Sequence, residues 1–291
     1  MLVNLLITIL LSSQIFLPIS AGQILGAETE NTATPKKIIN NNLDISISAE
    51  SAIVVDLESG KVLYQKNQNL QRPIASITKL MTALVFLDLD TEENKIIKYS
   101  YLDNTGGEVV ELKNGEEVKI KDLFYASLVG SKNNTIKSLV RSTGLSENEF
   151  VILMNKKATE LNLKNTSFKD TTGLSKFNVS TAEDIVILLK SASAKQAIQE
   201  ALSKQEYIFQ TSLAEYTVET TNLLLNNKYF NIEFGKTGYI EEAGWCFTSL
   251  GKIQNNKIIT VVLGSNSPDM RFQDTKALYW WIQENFKFSN F

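Results

Sequence analysis

The chain has 291 residues, 43% of them hydrophobic and 21% charged, enough to bury a sizeable core as one large domain or two interleaved lobes. Lys plus Arg number 29 against 32 Asp plus Glu, and the resulting net charge of -3 gives no electrostatic reason to expect a nucleic-acid partner. There is no histidine and one cysteine, Cys246, which excludes Ser-His-Asp triads, Cys-His dyads, intramolecular disulfides and zinc sites of the Cys/His type; the chemistry must use Ser, Lys, Tyr or carboxylates, with no metal or cofactor expected.

Residues 1–27, "MLVNLLITILLSSQIFLPISAGQILGA", form an apolar run that ends in small residues around Ala21 and Ala27 and has no Lys or Arg ahead of it. This pattern is expected of a secretory signal segment or an N-terminal membrane anchor, so the protein is expected to be exported. Residues 28–44 are polar and poor in bulky side chains, the composition of a flexible tether, and a folded domain is expected over 45–291.

In "SAIVVDLESGKVLYQKN" apolar and polar residues alternate on both sides of Glu58-Ser59-Gly60, which predicts a hairpin with Gly60 in the turn. From Ile77 to Leu89 apolar residues crowd at helical spacing with no Gly or Pro, which predicts a helix buried over most of its surface. Three further stretches, "IKDLFYASLVGSKNNTIKSLVRSTG", "ENEFVILMNKKATELNL" and "TAEDIVILLKSASA", read as amphipathic helices with capping or acidic residues near their starts. After Tyr207 the pattern turns to strands, with Asn255-Asn256 as a turn, and "DTKALYWWIQENF" closes the chain as a helix. This order predicts an α+β fold in which the N-terminal hairpin and the late strands share one antiparallel sheet, the helices form a second lobe, and a cleft lies between them. Cys246 reads as a buried small hydrophobe, and Trp280-Trp281 as packing in the last helix.

Ser76 and Lys79 stand at the start of the first helix in "RPIASITKLMTALVFLD". A serine there is most simply a cap for the first-turn amides. Residues three apart also share a helix face, so the lysine can reach the hydroxyl and, if burial lowers its pKa, take its proton. "VGSKNN" contains Ser131 and Asn133; it reads as a turn between helices, or as a proton relay followed by an amide that binds substrate and lysine. "FGKTGYIEEAGW" contains Lys236, Thr237 and Gly238; it reads as a strand with a glycine bulge, or as a cation and hydroxyl for a substrate carboxylate beside a glycine that admits substrate backbone.

S-x-x-K, S-x-N and K-T-G in that order are a motif set of penicillin-binding proteins and class A β-lactamases. Over roughly residues 45–288 the chain resembles the D-alanyl-D-alanine carboxypeptidases of low molecular mass, peptidase family S11. "SGKVLYQKN", "MNKKATELNLKNTSFKDTTGLS" and "VVLGSNSPDMRF" add to the likeness. The resemblance implies a β-lactamase/transpeptidase-like fold and removal of terminal D-Ala from peptidoglycan stem peptides through a Ser76 acyl-enzyme, with β-lactam antibiotics as covalent inhibitors. It also implies Lys79 as base, Ser131 and Asn133 in relay and positioning, Lys236 and Thr237 on the substrate carboxylate, and the amides of Ser76 and Tyr239 as oxyanion hole. Arg271 would stand near the carboxylate end of the site.

Two departures from the family pattern stand out. Phe234 occupies the place of a frequent glycine, with Gly235 displaced by one, and "TTNLLLNN" lacks a frequent arginine. The chain ends about 20 residues after Arg271, which leaves no room for the β-rich C-terminal domain and anchor of many relatives, so membrane attachment is expected only through the N-terminal segment. The rival readings are a DD-endopeptidase of the same family, a β-lactamase, for which no Glu-x-x-Leu-Asn segment is found, and a penicillin-fold module without catalysis.

Overall fold

The computed structural model describes residues 34–38, 44–89, 92, 94–225 and 227–288; the expected signal segment or anchor at 1–27 lies outside the described residues. In chain order the first elements are β1 (Lys36–Lys37), β2 (Ser51–Asp56), β3 (Val62–Lys66), β4 (Arg72–Pro73) and, after a 3-10 turn at Ala75–Ile77, α1 (Thr78–Asp88). A helical region follows: β5 (Ile96–Lys98), β6 (Glu117–Lys119), α2 (Ile120–Val129), α3 (Asn133–Ser142), α4 (Glu147–Glu160), β7 (Val179–Ser180), α5 (Ala182–Ser193) and α6 (Gln196–Leu202). The last part holds β8 (Glu206–Gln210), β9 (Glu215–Glu219), β10 (Asn231–Ile240), β11 (Gly244–Ile253), β12 (Asn256–Ser265), α7 (Met270–Asn285) and β13 (Phe286–Lys287).

The hairpin β2–β3 turns at Gly60, whose φ of 69° lies in the left-handed region. It joins the late strands in one antiparallel sheet of order β10-β11-β12-β2-β3, as the alternation predicted. Every residue of β2 is buried because helices cover both faces of the sheet. Successive residues therefore enter opposite cores: Ile53 and Val55 with Ile259 and Val261 on the face toward α1 and α5, and Ala52 and Val54 with Ile258 and Val262 on the face toward α7.

Two expectations about the strands need correction. The stretch after Tyr207 does not enter the main sheet: β8 and β9 pair only with each other among the described strands and lie against α2. Their anchor is an aromatic row, in which Tyr207 stacks on Tyr125 of α2 at 4.8 Å and Phe209 stacks on Tyr216 at 5.6 Å. In β10 the register shift falls between Ile232 and Phe234 instead of at Gly238. This accounts for the displaced glycine, since Phe234 is buried in the core and a Cβ on Gly235 would stand 2.8 Å from the Phe247 ring.

The predicted caps form at α4, where Ser146 and Glu149 make a reciprocal capping box, and at α5, where Thr181 accepts from the Asp184 amide. Cys246 is fully buried in the core, as expected of a small hydrophobe. Of the tryptophan pair only Trp281 packs; Trp280 is 59% exposed. No helix among the described residues is long and apolar enough to cross a membrane.

Candidate active site

The edge strand β10 faces the helical region across a cleft of about 640 Å³. Ser76, Ser131, Asn133, Thr237, Gly238, Tyr239 and Arg271 all line it, so the three motifs converge there from a turn, an interhelical corner and a strand.

Ser76 sits in the 3-10 turn between β4 and α1. It is not a helix cap: Ile77 holds the N-cap position of α1, with no side-chain cap bond. The preceding residue, Ala75, has φ of 47°, a left-handed conformation that costs energy in a residue with a Cβ. Two glycines hold this turn from either side. A Cβ on Gly238 would stand 3.1 Å from the Ser76 amide nitrogen, and one on Gly173, whose φ is 93°, would stand 2.1 Å from the Ala75 carbonyl oxygen. Side chains at either place would push Ser76 out of position.

Lys79 is fully buried in the first turn of α1. Its ammonium donates to Ser76 Oγ at 2.9 Å, Asn133 Oδ1 at 2.7 Å and the Thr172 carbonyl at 2.8 Å. Asn133 is oriented by its own Nδ2, which donates to the Gly106 carbonyl at 2.9 Å, so Oδ1 is the atom left facing the lysine. Burial pushes the Lys79 pKa down to about 7, against an upward pull from the charge of Asp170. Near neutrality the amine is thus partly unprotonated. Asn133 Oδ1 and the Thr172 carbonyl can only accept, so the neutral amine directs its two N–H bonds to them and its lone pair at the Ser76 hydroxyl.

Lys236, 1% exposed, donates to Ser131 Oγ at 2.6 Å and to the Thr237 carbonyl at 3.0 Å. Burial, then the charges of Lys79 and Arg271, hold its pKa well below the ordinary lysine value. Ser131 occupies the corner between α2 and α3 with φ of 57°, so the turn reading of "VGSKNN" holds, and the residue also lines the cleft. Thr237 Oγ1 shares a hydrogen bond of 2.6 Å with Thr221 Oγ1. Arg271 projects from α7, its guanidinium 5.0 Å from the Trp245 ring and 4.8 Å from the Phe272 ring. Burial pushes its pKa down to about 10, and it stays charged at neutral pH. Tyr239 stacks on Trp245 at 3.8 Å and is 48% exposed at the rim.

Arg271, charged at neutral pH, and the two buried amines Lys79 and Lys236, which an anion would help to protonate, favour an anionic group at this site. A nucleophile hydroxyl with a buried amine beside it is equipped for acyl transfer. Sequence reasoning missed Thr172, Gly173 and Thr221. The glycine of "DTTGLS" was a signal for a close backbone approach, whereas Thr172 acts through a carbonyl that every residue has.

Comparison with known proteins agrees with this chemistry. The family described as D-alanyl-D-alanine carboxypeptidase, Peptidase S11, matches residues 34–267. A D-alanyl-D-alanine endopeptidase of Pseudomonas aeruginosa is 35% identical over 263 residues, which cover 89% of this chain and 85% of the relative. A D-alanyl-D-alanine carboxypeptidase of Bacillus subtilis, DacF, is 35% identical over 243 residues, 81% of this chain and 62% of the relative. Among solved structures, penicillin-binding protein D2 of Listeria monocytogenes in its cefotaxime-bound form superposes with a TM-score of 0.73 at 27% identity, covering 84% of this chain and 100% of that one.

Proposed function

The chain belongs to peptidase family S11, the D-alanyl-D-alanine carboxypeptidases, and from that premise we propose that it removes the terminal D-Ala of peptidoglycan stem peptides through an acyl-enzyme on Ser76. The observation that carries this reading is the Lys79 nitrogen 2.9 Å from Ser76 Oγ, with its other two donors engaged by fixed acceptors.

In this mechanism Lys79 takes the Ser76 proton as the hydroxyl oxygen attacks the carbonyl carbon of the penultimate D-Ala. The amides of Ser76 and Tyr239 hold the oxyanion, and Gly238 lets the substrate backbone lie against β10. Lys236, Thr237 and Arg271 receive the terminal carboxylate. Its arrival favours the charged form of Lys236, which then repels a proton from Lys79 and keeps the base available. As the peptide C–N bond breaks, the proton taken up by Lys79 passes through the Ser131 hydroxyl to the departing D-Ala amine, which leaves Lys79 neutral to take a proton from the water that hydrolyses the ester. β-Lactams, which present a reactive amide beside a carboxylate, acylate the same serine. The stem peptide places the enzyme in the cell-wall space, and export through residues 1–27 is part of the proposal.

Incubation with fluorescent penicillin and with pentapeptide tests this reading. Wild type is expected to form an ester at Ser76 and release D-Ala, whereas Ser76→Ala does neither; equal labelling of Ser76→Ala would overturn it. The endopeptidase relative matches over 85% of its length and the carboxypeptidase over 62%, which favours cross-link cleavage as a second reading. Cross-linked muropeptides assayed beside pentapeptide separate the two by which product forms faster.

A further inference from the structure

The segment between α4 and β7 belongs to none of the three motifs, yet it supplies both the Thr172 carbonyl on Lys79 and the Gly173 backbone against Ala75 and Ser76. Its conformation is held from one side chain. Asp170 Oδ1 accepts from the Thr172 amide at 2.6 Å, the Thr172 hydroxyl at 3.0 Å and the Gly173 amide at 2.6 Å, while Oδ2 accepts from the Ser175 amide at 2.5 Å. A carboxylate is the only side chain whose two oxygens can both accept in this way.

The knot is tied to the nucleophile from two further directions. Asn178 Nδ2 donates to the Asp170 carbonyl and to Thr78 Oγ1 on α1, each at 3.1 Å, and the Asn178 carbonyl accepts the Ile74 amide at 3.1 Å. Thr82 on α1 donates to the Thr171 carbonyl at 2.7 Å. The segment is therefore braced on both sides of Ser76.

We infer that Asp170 is a positioning residue for acylation, its carboxylate holding the Thr172 carbonyl on the Lys79 nitrogen and Gly173 on the backbone of Ser76. The inference rests on the proposed roles of Ser76 and Lys79. It has a second consequence, because the carboxylate has no ion-pair partner among the described residues and its charge acts on Lys79. The other charged groups of the elements around the base are Lys236 on β10, with Arg271 behind it, and two ion pairs, Lys132 just ahead of α3 with Glu108, and Lys137 on α3 with Glu147 at the start of α4. Asp170 therefore favours the ammonium form of Lys79, and burial opposes it.

The test is the pH dependence of penicillin acylation in wild type, Asp170→Asn and Asp170→Ala, read by stopped-flow quenching of intrinsic fluorescence and by the mass of the Ser76 ester. Asparagine keeps the size and one acceptor oxygen but removes the charge. Its acidic limb is expected to move to lower pH by roughly half a unit or more. Its plateau rate is expected to fall about 10-fold and that of Asp170→Ala up to about 100-fold, as a displaced base and nucleophile predict. If Asp170→Ala fails to fold, the asparagine profile decides. A lower melting temperature with both limb and plateau unchanged would make Asp170 merely structural and overturn the inference. Absence of a Ser76 ester in wild type would instead bring down the proposed function, and this inference with it.

Discussion

The Lys236 nitrogen lies 2.6 Å from the Oγ of Ser131, a residue 105 positions earlier in the chain. The contact ties β10 to the corner of α2 and α3 beside the cleft, and it engages an oxygen lone pair of Ser131, leaving the hydroxyl proton free to point into the cleft.

A relay role for that proton has a direct consequence. Ser131→Gly suits the left-handed backbone at φ of 57° and is expected to fold normally, but to acylate with penicillin about 100-fold more slowly. Stopped-flow acylation beside a melting curve checks this; wild-type acylation in a folded Ser131→Gly would remove the relay.

The acylation rate is expected to rise with pH through about 7, the region where burial places Lys79. Stability should follow the same group with a definite sign. Between about 7 and its ordinary value of 10.5, the unfolded chain binds a proton on Lys79 that the native chain does not, so stability rises with pH across that window. Lys79→Met is expected to reduce acylation by at least about 10³-fold and to make this rise shallower, leaving the share due to Lys236, measured by urea unfolding at a series of pH values.

Gly173→Ala tests the backbone contact. The new methyl meets the Ala75 carbonyl oxygen at 2.1 Å in a φ of 93°, so neither the space nor the conformation suits it. A loss of about 3 kcal/mol in stability is expected, together with a fall in acylation larger than that of a surface glycine substitution such as Gly144→Ala, which meets nothing within 4 Å.

Arg271→Lys keeps the charge but loses the planar group lying over Trp245 and Phe272. KM for pentapeptide is expected to rise roughly 10-fold with kcat changed far less, because the proposed carboxylate contact would be made in the ground state and the transition state alike. Steady-state D-Ala release gives both constants.

What was legible in the sequence was local. The hairpin at Gly60 and the buried helix after Ser76 follow from side-chain period, and the strands β10 to β12 from their content of Tyr, Thr, Val and Ile. The pair Ser76 and Lys79 was legible for the same reason, since three residues on a helix bring two side chains together. The absence of histidine narrowed the choice of base to such a lysine.

The sequence by itself thus determined the elements, the three motifs and the kind of chemistry they can perform. Only the tertiary structure decided that Ser76 is no helix cap, that β8 and β9 leave the main sheet, and that Lys79 is wholly buried. It also decided which acceptors engage the Lys79 nitrogen, among them a carbonyl 93 residues away in a segment bound up by Asp170. The physical reason is that burial and the backbone acceptors of a distant loop arise from long-range packing, and neither residue type nor spacing along the chain records them.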